Sequence, residues 1–108
     1  MIWHLYLDDI RNPPDDKEYV VCRGFLEAAY MVREKGCPTS IAFDHDLGIS
    51  ELGGVMPSGM DFAKWLTRQA MMGELEFPEN FRFTVHSANP VGRGNIIAHM
   101  DSYFRSLE

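Results

Sequence analysis

Apolar positions along the chain change period several times, and each change marks an element. The run Ile2 to Leu7 is apolar and stops abruptly at Asp8-Asp9, which predicts a strand ending in acids. Arg11-Asn12-Pro13-Pro14-Asp15-Asp16 predicts a loop, because two prolines and an asparagine break both regular structures. Tyr19 to Cys22 predicts a short second strand. From Phe25 to Lys35, residues Phe25, Ala28, Ala29 and Val32 fall at helical spacing, and Gly36-Cys37-Pro38 ends that helix. Ser40 to Phe43 predicts a third strand, again ending in acids at Asp44-His45-Asp46. The glycine-bearing segment Gly48 to Gly59 is long enough to suggest a lid or binding loop.

Asp61 to Met72 predicts a helix with Phe62, Leu66 and Ala70 on one stripe, and Phe81 to Val85 a fourth strand. In the last helix Ile96, Ile97, Met100, Tyr103, Phe104 and Leu107 line one face. Strands alternating with helices predict an α/β layer fold with a mainly parallel sheet. Ligands of such sheets bind beyond the carboxyl ends of the strands. Three strands here end in polar clusters: Asp8-Asp9, Asp44-His45-Asp46 and His86-Ser87. A lone aspartate is as often a cap as a ligand. Three clusters brought to one rim point to a site.

Composition narrows the reading. A chain of 108 residues, 45% apolar and without repeats or linkers, suits one domain with one core. Ten basic against sixteen acidic side chains give a net charge of -6, which argues against a partner such as long duplex nucleic acid. A single nucleotide or one end of an RNA remains compatible. No apolar run approaches a membrane span of roughly 20 residues. The N-terminus lacks the basic start and small-residue cleavage site of a secretory signal, so a cytoplasmic location is expected. Cys22 and Cys37 are too widely spaced for a zinc motif and are expected as reduced, partly buried thiols.

Carboxylates crowded at one rim repel one another, so one must be protonated or a cation must sit among them. A hard cation such as Mg2+ suits carboxylate oxygens. Asp8, Asp9 and Asp46 are the candidate metal ligands, with Asp44 beside the proton-transfer groups. His86 is the candidate acid–base, with His45 as a second. If residues 44 to 46 stay extended, Asp44 and Asp46 point one way and His45 the other, over a helix. His4 and His99 are expected to be structural. Adjacent His86 and Ser87 face opposite sides of a strand, and no G-x-S-x-G elbow surrounds Ser87, so a Ser-His-Asp triad is set aside. Asn89 is a candidate N-cap and Pro90 suits the first helical position. Gly92 and Gly94 then fall in the first turn, at about 1 kcal/mol each relative to alanine. With Arg93 between them they suggest a phosphate site, although an irregular helix entry nearer Asn95 explains the glycines equally well.

The order strand-Asp8-Asp9, strand-Asp44-x-Asp46-Leu47, Met56-Pro57-x-Gly59, strand-x-Ser87-Ala88 resembles the receiver domain of two-component signalling. In that family an acidic pair and a strand-end aspartate bind Mg2+, the latter accepts a phosphoryl group, and a Ser or Thr on the next strand contacts it. This chain departs from that pattern. The region between the first two strands is too short for a first helix, extra residues separate Leu47-Gly48 from Met56-Pro57, and a fifth strand with its lysine is missing. Phosphoacceptance at Asp44 or Asp46 is therefore not expected.

Leu5 to Pro13, Phe43 to Gly48, Gly59-Met60-Asp61 and His86 to Gly92 are similar to the cyclic-phosphate-processing receiver-like domains of bacteria and phages. The resemblance implies a three-layer, flavodoxin-like α/β fold with a truncated four-stranded sheet and about three helices. It also implies phosphoesterase-type chemistry on a cyclic or terminal phosphate of a nucleotide or RNA end. Of the positions that carry over, Asp44, His45, His86 and Ser87 would then be catalytic and Asp8, Asp9 and Asp46 would hold Mg2+, while the helix entry read above, Asn89, Gly92, Arg93 and Gly94, would hold the phosphate. The alternative is an inactive receiver that binds a protein partner or ligand, with Leu52, Val55 and Met56 in the long loop as its contact surface.

Overall fold

The computed structural model describes residues 2–13, 18–47 and 58–108. The elements run β1 His4–Leu7, β2 Val20–Cys22, α1 Phe25–Lys35, β3 Ser40–Phe43, α2 Gly59–Met71, β4 Arg82–Val85 and α3 Pro90–Ser106. All strand pairs are parallel, in the order β2-β1-β3-β4, with His4 opposite Ser40 and Ser40 opposite Arg82. This is the receiver-like α/β fold the sequence predicts. The boundaries shift slightly: Ile2 is exposed and precedes β1, while Tyr19 and Phe81 fall just outside β2 and β4.

Strand alternation divides the sheet into two faces. Leu5, Leu7, Ile41, Phe43 and Val85 join Ala28, Val32, Phe62, Leu66, Ile96 and Met100 in one core cluster. Those apolar positions come from all three helices, so the helices cover the same face of the sheet. Tyr6 and Ala42 are buried yet stand outside that cluster, on the opposite face. The three-layer expectation is therefore corrected to two layers among the described residues. The connection from β1 to β2 is too short to carry a crossover helix, and no helix is described in it.

The helix ends follow from local chemistry. The predicted start at Asp61 is instead the third residue of α2: Ser58 caps the helix in a reciprocal box with Asp61, whose Oδ2 accepts the Ser58 amide at 2.7 Å. Asn89 caps α3 by accepting the Gly92 amide at 3.0 Å, and Pro90 opens the helix, as the sequence predicts. Gly36 ends α1 at φ 83°, a left-handed conformation that side chains disfavour. Leu107 lies exposed just past α3, so the apolar stripe ends with the half-buried Phe104.

No helix among the described residues is long and apolar enough to cross a membrane. Cys22 and Cys37 are both free thiols, and burial pushes each up to about 12.

Candidate active site

The site is built around Asp8, the first residue after β1. Its amide continues the sheet ladder by donating to the Cys22 carbonyl at 3.1 Å, which fixes its carboxylate at the carboxyl rim, fully buried. Oδ1 accepts the Ile10 and Arg11 amides at 2.9 and 2.8 Å, folding the chain into a tight turn. Oδ2 accepts His86 Nε2 at 2.9 Å and pairs with Arg11 Nε at 3.2 Å. Burial pushes this carboxyl up, but the Arg11 and Ile10 amides, the His86 bond and the Arg11 charge outweigh it, and Asp8 is held below its ordinary value.

Asp44, directly after β3, donates its amide to the Leu7 carbonyl at 2.9 Å and is itself buried. Burial and the neighbouring Asp8 charge push its carboxyl up, against the pull of Arg11, His86 and the His45 amide. Carboxylate oxygens of Asp8, Asp9 and Asp44 lie within 4.8 Å of one another. These are hard oxygen donors of the kind Mg2+ takes. The Arg11 guanidinium, half exposed, already pairs with Asp8 and stands near Asp44, with Nη2 3.8 Å from Asp44 Oδ1 and Nη1 donating to the His86 carbonyl at 3.3 Å.

The expected ligand set is corrected here. Asp46 does not join Asp8 and Asp9. Its carboxylate is 68% exposed and bonds His45 Nδ1 at 2.9 Å. The physical reason is that β3 ends at Phe43 and the chain has already turned at His45, whose carbonyl accepts the Gly59 amide at 2.8 Å; alternation no longer applies. Asp44 takes the place foreseen for Asp46. His45 packs against α3 through this turn and not through strand alternation: its imidazole fills the space in which a Cβ on Gly92 would stand.

The glycines of α3 consequently have different meanings. The Gly92 amide is engaged by the Asn89 cap and offers no free donor to a phosphate. Its missing side chain makes room for His45. Gly94 meets nothing within 4 Å. Gly92→Ala is expected to cost about 1–3 kcal/mol by overpacking, whereas Gly94→Ala should gain about 1 kcal/mol from helix propensity. Urea midpoints of the two variants check this contrast. Arg93 is exposed and anchors Nε on the Val85 carbonyl at 3.1 Å, at the end of β4. Ser87 Oγ accepts the Asn89 amide at 3.1 Å, a turn-forming contact that leads into the cap.

His86 follows β4, and its amide continues the ladder to the Phe43 carbonyl at 2.9 Å. Its ring stacks on Tyr6 with centroids 4.7 Å apart and planes 7° from parallel. Nδ1 is buried without a hydrogen-bond partner among the described residues. With Asp8 ionised, Nε2 carries the proton it donates and Nδ1 carries the lone pair, the arrangement of an oriented base. His4 bonds Ser40 Oγ at 2.6 Å and His99 bonds Thr67 Oγ1 at 2.9 Å.

Sequence reasoning missed Arg11, Arg23 and Tyr6. Arg23 donates to the Asp8 and Arg11 carbonyls at 3.2 and 2.6 Å and to Asn12 Oδ1 at 2.6 Å, stapling the loop that carries Asp9 and Arg11. The spacing of Asp8 and Arg11, three residues apart, was the available signal for that pair. Leu52, Val55 and Met56, and with them the long-loop reading, lie outside the described residues.

A parallel sheet whose strand ends collect two buried aspartates and a histidine defines a receiver-like domain by fold and by site. The chain belongs to the family of cyclic-phosphate processing receiver domains, whose family profile matches residues 3–102. No curated protein and no solved structure matches the chain.

Proposed function

We propose that this domain is a phosphoesterase that opens a cyclic phosphate, or removes a terminal one, on a nucleotide or RNA end. The observation that carries the reading is the Asp8–His86 pair, in which a buried carboxylate holds Nε2 at 2.9 Å and leaves Nδ1 unpartnered. A family tied by description to cyclic-phosphate processing supports the substrate class.

In hydrolysis of a 2′,3′-cyclic phosphate, a water oxygen bonds to phosphorus while the bond to the 2′ or 3′ oxygen breaks. His86 Nδ1 takes the water proton and returns it to the leaving oxygen, and Asp8 stabilises the imidazolium formed between the two steps. Nδ1 is closed off in the resting structure, so substrate entry must displace what covers it. Arg11, half exposed beside His86, supplies charge-assisted donors for the phosphate oxygens. Arg93, exposed at the start of α3, adds positive charge on the same rim. Asp9 and Asp44, with Asp8, would hold Mg2+ once Arg11 turns to the phosphate; the ion would polarise a phosphoryl oxygen.

The test is hydrolysis of 2′,3′-cyclic nucleotides and of RNA ending in a cyclic or terminal phosphate, with Mg2+ or with EDTA. Turnover lost in EDTA is expected if the acidic trio holds the ion. Saturating Mg2+ at a hundred times its dissociation constant should also stabilise the fold by about 2.7 kcal/mol in thermal denaturation. Absence of turnover in every condition would sink the phosphoesterase reading in favour of the inactive binding module.

A further inference from the structure

The sheet face opposite the helices has a specific chemistry of its own. Strand alternation puts His4, Tyr6, Ser40, Ala42, Arg82 and Thr84 on it. Tyr19, just before β2, stands edge-on to His4 and to Tyr6, at centroid distances of 6.3 and 5.5 Å. Its ring thus rises from the sheet as a wall. Arg82 is exposed on β4, across the sheet. Two cavities, of about 880 and 260 Å3, share Tyr19, Ser40 and Arg82 as lining. The larger opens toward Ile2 and Trp3 at the amino ends of the strands, and the smaller runs over Ala42 and Thr84.

A helix or a second copy covering this face would need a broad apolar patch. What the face offers instead is a tyrosine wall, a guanidinium, two hydroxyls and a floor lowered by alanine. Flat rings beside a cation are what unstacked bases take up: stacking on the ring supplies affinity, and the guanidinium meets a base plane or a backbone phosphate. Glu18, at the outer cavity, is an acceptor of the kind that base amino groups take. The row of rings continues from Tyr19 through Tyr6 to His86, which Asp8 holds. From Ser40 to Asp44 the chain rises roughly 13 Å, at about 3.3 Å per strand residue. A strand of a few nucleotides spans that distance.

We propose that the sheet face opposite the helices binds the bases of a short single-stranded RNA, between Tyr19 and Arg82, with the RNA end directed to the Asp8–His86 rim. Only the direction of the strand rests on the phosphoesterase reading; the stacking site stands without it.

Fluorescence anisotropy with a labelled tetranucleotide tests this, using one probe with a 3′-hydroxyl end and one with a 2′,3′-cyclic phosphate. Tyr19→Ala should weaken both at least about fivefold, since one stacked base contributes roughly 5- to 150-fold in affinity. Tyr19→Phe should stay within about twofold of wild type, because the phenyl ring stacks equally well. Arg82→Glu, on an exposed edge position, should weaken both about tenfold and guards against a folding defect in Tyr19→Ala. No saturable binding up to about 1 mM, or folded Tyr19 and Arg82 variants that bind like wild type, would overturn the proposal. So would a dimer in sedimentation equilibrium that Arg82→Glu dissociates, which would make a second copy the occupant. If hydrolysis fails but the hydroxyl-ended probe binds in a Tyr19-dependent way, the stacking site stands and the phosphoesterase reading falls. If hydrolysis succeeds but neither variant alters probe binding, the stacking site alone falls.

Discussion

His86→Ala is expected to lower the rate constant for opening a 2′,3′-cyclic phosphate by about 10²–10⁴-fold, the usual contribution of a placed acid–base. The effect should fall on kcat, because the imidazole moves a proton and does not carry the phosphate. Arg11→Ala should act mainly on KM, since its half-exposed guanidinium beside Asp8 and Asp44 is the donor set offered to a phosphate. His86→Gln separates the proton-transfer role from packing: glutamine retains a hydrogen bond to Asp8 but cannot cycle a proton at neutral pH. Equal turnover in wild type and His86→Gln would show that the histidine is only a partner for the buried carboxylate. His45→Ala should leave kcat nearly unchanged, because that ring packs on Gly92 and bonds Asp46.

Much of this was legible from the chain, and the residues that were not share one property. Asp8 and Asp44 were legible because an apolar strand that stops at an acid puts that acid at the carboxyl rim, and the parallel sheet aligns the rims. Asn89 and Pro90 were legible because a cap and its helix are adjacent in sequence. Asp46 was misplaced because alternation was extended past Phe43, where the chain had already turned toward the start of α2. The Gly92 cradle was misread because its reason is the His45 ring, 47 positions away, and helix-entry glycines look alike in one dimension. Arg11 escaped notice because a flexible cation folding back onto three partners leaves no periodic trace. The short connection after β1 foreshadowed that no crossover helix stands there, but that all three described helices share one side of the sheet becomes visible only in the packed core.

The two buried aspartates are expected to have opposite effects on stability. Asp8→Ala should cost about 3–5 kcal/mol, because it strips the turn amides of Ile10 and Arg11 and the His86 Nε2–H of their acceptor and leaves Arg11 without a counter-charge. Asp44→Asn should instead stabilise the domain at pH 7 by about 0.5–2 kcal/mol. It removes a charge that burial and Asp8 both oppose, while the amide oxygen can still accept the His45 N–H. The pH dependence carries the same signs. Asp8 titrates lower in the folded chain than its ordinary 3.8, so its contribution is complete above that value and lost as the pH falls through the folded-state value. Asp44 titrates above 3.8, so its ionisation costs stability at neutral pH and that cost is relieved as the pH falls through its raised value. Asp44→Asn should therefore gain most at neutral pH and converge with wild type in acid. Denaturant unfolding across pH 3 to 8, at about one unit per step, reads both. A destabilised Asp44→Asn at pH 7 would mean that Arg11 already compensates the Asp44 charge, leaving no unbalanced acid to draw a metal ion into the trio.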